Sequence, residues 1–263
     1  MWDNPRLLNM AANALIGLAC LVFAYAGLQL LLRSPLFPLQ EVVVRGDLKN
    51  ADREEIANAL DGIDGNFFAA DLAAVRGRLE QVSWVRRVEA RRAWPDRIEV
   101  RLEEHVAFAR WGQVEGDLRS GGYVNSGFVN TFGEPFAAGM ESAAQSSLPL
   151  FAGPAGTEGE LARRYRRFVE LLAPLNTVPD HGIVTAIVLT PRHAWQLRVG
   201  GGTAGGLDLE LGRDGAEAVE QRLARFVAAY PESIGRLPRS DARRHVDLRY
   251  PNGFALRVAG WKS

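Results

Sequence analysis

Hydrophobic and polar positions divide the chain into regimes of different period. From Leu7 to Leu32 there is no charge, and the strongly polar side chains are Asn9, Asn13 and Gln29. A bilayer core is spanned by about 20 apolar helical residues, so residues 7–32 are predicted to be a transmembrane helix. Pro35 and Pro38 then bar that helix from continuing.

Past the prolines the period shortens. "LQEVVV" (Leu39 to Val44) has strand composition and stops at Gly46. Ile56 and Leu60, four apart, follow the candidate N-caps Asn50 and Asp52. Leu72, Val75, Leu79 and Val82 form a second helical stripe behind Asp71. "WVRRVEARRAW" and "RIEVRLE" are then strands joined by a "WPD" turn, the second pointing Ile98, Val100 and Leu102 inward against outward Arg97, Glu99, Arg101 and Glu103. The predicted order is β-α-α-β-β.

Later segments repeat both periods. Leu161, Tyr165, Phe168 and Leu172 are spaced for one buried helix face, leaving Arg163, Arg164, Arg166 and Arg167 outside for solvent, lipid or a partner. "WQLRV" and "LDLEL" flank a glycine tract, and "HVDLRY" (His245 to Tyr250) and "FALRV" (Phe254 to Val258) read as a closing hairpin through "PNG". The fold class is α+β: one N-terminal transmembrane helix, a β-α-α-β-β domain, and a C-terminal mixed, largely antiparallel β domain with flanking helices.

Composition narrows the function. The 263 residues include 31 basic and 31 acidic side chains, so no net field gathers nucleic acid. Cys20, inside the apolar run, is the single cysteine, so the remainder can form no disulfide. The run itself has two readings. Ala24, Tyr25 and Ala26 spell a site where a leader could be cut, yet a leader's apolar core is about 7–15 residues, and a cut after Ala26 would expose "GLQLLL". Length favours an uncut anchor, and it also weakens a lipoprotein reading of "GLAC". Arg6 and Arg33 balance, so charge leaves the orientation open.

The order of several motifs is more specific than any one of them. "FPLQEVVVRG" at 37–46, "NFF" with Asp71, "WVRR" at 84–87 and "WPDRIEVRLEE" at 94–104 resemble a POTRA domain. Together with "VNTFGEPF", "LPLFAGP", "WQL", "QRLARFVAAYP" and "VDLRYPNG" downstream, they resemble the FtsQ/DivIB family of bacterial cell-division proteins. The resemblance implies a layout of a short cytoplasmic head at 1–6, the helix at 7–32, a POTRA domain at 37–105 and a β domain at 106–263. It also implies a single-pass type II protein of the inner membrane at the division septum, mostly periplasmic, and supplies the orientation that charge does not. So short a head is expected to make no partner contact. FtsB and FtsL are the implied partners, held on the C-terminal sheet, with further membrane-anchored division proteins meeting the POTRA domain. Carried over by position, the partner-binding residues are Tyr250, Asn252, Gly253, Phe254, Leu256 and Val258, with Arg192, ahead of "WQL", as charge partner. For Tyr250 and Phe254 core packing is the competing reading.

Chemistry offers little else. Gly200, Gly202 and Gly205 satisfy G-x-G-x-x-G, but a dinucleotide site needs a helix after the glycines, and "LDLEL" alternates as a strand does. His105, His181, His193 and His245 lack a second ligand at metal spacing. "EEH" at 103–105 reads as a solvated strand end, and the arginines of the two POTRA strands as a solvated sheet face beside Glu89, Asp96, Glu99 and Glu103. No acid, base and electrophile assemble, so no enzyme, cofactor, metal, nucleic acid or small-molecule substrate is expected. The competing functions are a POTRA-type envelope chaperone or transport component and a secreted enzyme released by leader cleavage.

Overall fold

The structure is a computed structural model of the chain, describing residues 5–32, 38–63, 66–68, 70–114, 123–177, 184–200, 206–237 and 243–257. Among the positions singled out from sequence, Arg33, Pro35, Phe37, His181, Gly202, Gly205 and Val258 lie outside the described residues. The chain divides into two units, Met1–Glu104 and His105–Ser263.

The first unit opens with α1 (Pro5–Leu32), whose stretch Asn9–Leu30 is long and apolar enough to cross a membrane. At 22 residues it measures roughly 33 Å. Next come β1 (Glu41–Arg45), α2 (Arg53–Leu60), α3 (Leu72–Leu79), β2 (Val85–Ala93) and β3 (Arg97–Glu104). Asp52 caps α2 by accepting from the Glu54 N–H at 2.9 Å, and Asp71 caps α3 by accepting from Ala73 and Ala74. The three strands form one sheet in the order β1-β3-β2, with β1 parallel and β2 antiparallel to the central β3. Ile98, Val100 and Leu102 of β3 meet Ile56, Val75 and Leu79 in one buried cluster. The period-2 and period-3.6 stripes therefore face each other, which is why so short a segment folds around a core.

The second unit is built on a nine-stranded sheet. Its elements are β4 (Ala107–Val114), β5 (Tyr123–Asn130), β6 (Pro135–Phe136), α4 (Ser142–Ser147), β7 (Leu150–Gly153), α5 (Glu158–Leu172), β8 (Val184–Leu189), β9 (Trp195–Val199), β10 (Leu207–Gly212), α6 (Val219–Ala229), β11 (Arg244–Asp247) and β12 (Ala255–Arg257). Their order across the sheet is β12-β11-β10-β9-β8-β7-β4-β5-β6. Three pairings, β4 with β7, β7 with β8 and β10 with β11, are parallel and the rest antiparallel. Leu161, Phe168 and Leu172 of α5 and Val219, Leu223 and Phe226 of α6 are buried in the main core with Ile187, Leu197 and Leu209 of the sheet.

The glycine tract ends as a hairpin does: Leu207 of β10 pairs antiparallel with Val199 of β9, so a strand and not a helix follows it. The "EEH" expectation needs correction. The Glu104 carboxylate accepts from the backbone N–H groups of Lys49, Asn50 and Ala51, at 2.7 Å for Ala51. Glu103 accepts from Arg86 at 2.6 Å, and His105 stacks on Phe136 while sharing a 2.9 Å hydrogen bond with Asn130. Sequence period places these residues at a strand end but cannot show which backbone donors converge there. The α5 arginines stand outward as their spacing requires, Arg163, Arg166 and Arg167 exposed and Arg164 half-buried, but two of them are engaged by neighbours. Arg164 pairs with Asp214 and Glu220 and lies over the Trp195 ring, while Arg166 lies over Phe108 and donates to the Thr131 carbonyl.

Candidate partner-binding edge

A sheet binds a foreign strand only where its own ladder stops, so the two outermost strands are the places to look. At one side β6 is two residues long and begins with Pro135, which has no N–H to offer. At the other, β12 pairs with β11 on one flank, His245 opposite Arg257, Val246 opposite Leu256 and Asp247 opposite Ala255. Among the described residues no strand lies on its other flank.

The hairpin is shorter than its sequence period suggests. The ladder stops at Asp247 and resumes at Ala255, leaving Leu248–Tyr250 and Phe254 outside it. Two side-chain arrangements explain this. Arg249 turns back to grip the Asp247 carboxylate at 2.6 and 2.8 Å, and Phe254 packs edge-on against Phe226 of α6, centroids 5.5 Å apart. That grip lowers the Asp247 pKa and raises that of Arg249. Arg225 of α6 completes the buttress by donating to the Tyr250 carbonyl at 2.9 Å and to Glu217 at 2.6 Å.

The candidate residues accordingly divide. Phe254 and Leu256 are half-buried against the main core, so packing accounts for part of each. The Tyr250 side is 53% exposed, and Asn252 lies exposed at the turn. Gly253 is half-buried, with open space where a Cβ would stand. Arg192 sits exposed in the β8–β9 turn, closed by the Thr190 N–H bond to the Ala194 carbonyl. Strand directions put this turn and the Tyr250–Phe254 turn at the same end of the sheet. They are not adjacent: β10 and β11 separate β9 from β12, a gap of about 14 Å at the usual strand spacing.

Sequence reasoning missed the buttress. Arg222 and Arg225 flank the buried stripe of Val219, Leu223 and Phe226 on α6, and Arg222 donates to the Leu211 and Arg213 carbonyls. An arginine bordering an apolar helix stripe was the available signal. The outward face of the neighbouring strands is polar: Arg198 and Arg243 reach Asp208, and Gln196 donates to Glu210 at 2.8 Å. Among the described residues no group of His, Cys, Asp and Glu is arranged to hold a metal.

Comparison with known proteins places this architecture. A family model described as the POTRA domain, FtsQ-type, matches residues 37–105, and one for the C-terminal part of cell division protein FtsQ/DivIB matches residues 121–249. Cell division protein FtsQ of Burkholderia pseudomallei is 36% identical over 264 residues, covering 100% of this chain and 96% of that protein. The chain belongs to the FtsQ/DivIB family of cell division proteins. The FtsQ of Nitrosospira multiformis is also 36% identical, covering 98% of this chain and 99% of its own length. That of Escherichia coli is 30% identical over 230 residues, 85% of this chain and 73% of that protein. The FtsQ/DivIB match stops at residue 249, so β12 lies beyond it but within the Burkholderia FtsQ alignment.

Proposed function

We propose that this FtsQ-family chain is a non-enzymatic, single-pass scaffold of the bacterial division machinery. Residues 7–32 cross the inner membrane behind the short head at 1–6. The POTRA domain at 37–105 and the β domain at 106–263 stand in the periplasm at the septum, and the POTRA domain meets other membrane-anchored division proteins. The β domain takes FtsB, in complex with FtsL, as an added strand on β12.

The observation that carries this reading is the asymmetry of the sheet edges. Proline blunts β6, whereas β12 is an uncovered strand among the described residues, flanked by the exposed Tyr250 ring and Asn252. In this reading Arg192, at the same sheet end, meets an acidic segment that runs on past the added strand, because a guanidinium can fork onto a carboxylate. Val258 is included by its alternation with Leu256 along "FALRV".

The test is binding of purified FtsB–FtsL to the full chain in detergent. Arg192→Glu and Tyr250→Ala should each weaken binding at least about tenfold, the loss of one well-placed contact. Both side chains are exposed, so the melting temperature should stay within a degree or two of the parent. Undiminished binding by both variants would remove this edge as the site.

A further inference from the structure

We propose that the Trp94 corner of the first unit is a foot that rests in the headgroup layer of the bilayer crossed by α1. The inference builds on the reading of α1 as a membrane span. Outside α1, the described part of the first unit exposes two large apolar side chains, Trp94 at 81% and Phe68 at 40%. They lie at the same end of the three-stranded sheet. Arg92, two residues before Trp94, donates to the carbonyls of Phe67, Phe68 and Ala70 at 2.9, 3.2 and 2.7 Å, and so ties the Phe68 segment to the end of β2.

The chain leaves the span at that same end. Pro38 forms a bridge with Asn66, and the Gln40 N–H donates to the Asp96 carbonyl at 2.9 Å. Pro38 is the sixth residue after Leu32, and a fully extended chain covers at most about 3.6 Å per residue. This end of the sheet therefore stays within roughly 22 Å of the end of α1. A Trp side chain has an apolar body and one N–H, the combination that partitions into the membrane–water interface. The charges beside it balance, Arg92 and Arg97 against Glu41 and Asp96: Arg97 pairs with Glu41 at 3.2 Å and with Asp96 at 3.6 Å. The seating should be apolar and indifferent to anionic lipid.

Quenching of tryptophan emission by phospholipids brominated near the headgroup end of the acyl chains tests this on the full chain in nanodiscs. In a Trp2→Phe background, which removes the tryptophan ahead of α1, brominated lipid should quench a component that disappears in Trp94→Ala. The effect should be equal in phosphatidylcholine and in phosphatidylcholine with phosphatidylglycerol. Because the Trp2→Phe chain keeps the native corner, that measurement does not depend on how Trp94→Ala folds. Phe68→Ala should weaken the quenching without abolishing it. Equal quenching with and without Trp94, or quenching confined to anionic discs, overturns the foot. Absence of quenching overturns it as well. The parent chain with Trp2 retained separates the two readings. Trp2 quenched while Trp94 is not removes the foot alone, whereas neither quenched removes the span and the foot with it.

Discussion

At the scale of single residues, Glu104 ties the end of β3 to the segment that leads into α2. One carboxylate serves three successive backbone N–H groups from the segment ahead of α2, so it fixes the approach to that helix as well as ending β3. Charge-assisted hydrogen bonds exceed neutral ones. Glu104→Ala should destabilise the chain by about 2 kcal/mol, and Glu104→Gln by less, in chemical denaturation. Equal and negligible effects of both would show that water replaces the carboxylate at no cost. Asp247 gives a second expectation. Its pKa is lowered, first by the hydrogen bonds from Arg249, so its contribution is complete above the ordinary carboxylate range and disappears as pH falls through the lowered value. Stability relative to Asp247→Asn should be constant above about pH 5 and shrink toward pH 2. A pH-independent difference would mean that the grip is not titrating. Neither role is visible in the sequence, where Glu104 is one acid among neighbouring acids and Asp247 one of several outward strand residues.

At the scale of elements, the sequence was most legible where a period runs long. The α5 stripe of Leu161, Phe168 and Leu172 and the β3 alternation of Ile98, Val100 and Leu102 are buried as their spacing requires. Spacing says which face turns inward but not what waits beside the polar rim. That is why Arg164 and Arg166, outward by period, are engaged by Trp195, Phe108 and their acidic and carbonyl neighbours. The same limit hid the support that α6 gives to the closing hairpin. Phe226→Ala removes a fully buried ring that meets Phe254, and should cost about 3–5 kcal/mol while loosening the hairpin. Gly212 offers a milder route. Its φ is +74°, and a Cβ there would stand 2.8 Å from Cγ of Arg249. Gly212→Ala should cost about 1 kcal/mol or more and raise amide exchange across 247–257. Unchanged exchange in both variants would separate the hairpin from its buttress.

Across the whole molecule, the alternation and stripes announced an α+β chain behind an apolar helix, but not which strands pair in parallel, as β1 does with β3 and β10 with β11. The candidate edge was only partly legible. "PNG" marks the turn, and Tyr250 stands exposed beside it, but the carried-over residues join a half-buried ring in Phe254, packed on the core, with an exposed side chain in Asn252, and period cannot tell the two apart. The distance of Arg192 from β12 was equally hidden, because it depends on the order of strands and not on their sequence.

The break in the closing hairpin has a consequence for how a guest would be held. Leu248–Tyr250 stand outside the ladder that pairs Asp247 with Ala255, and the Tyr250 carbonyl is fastened to Arg225 of α6 instead. A strand added to β12 would bond to that strand alone, whereas a side chain resting on Tyr250 would be backed by α6. The two holds would therefore loosen separately, each main-chain bond of the first contributing about 1 kcal/mol net.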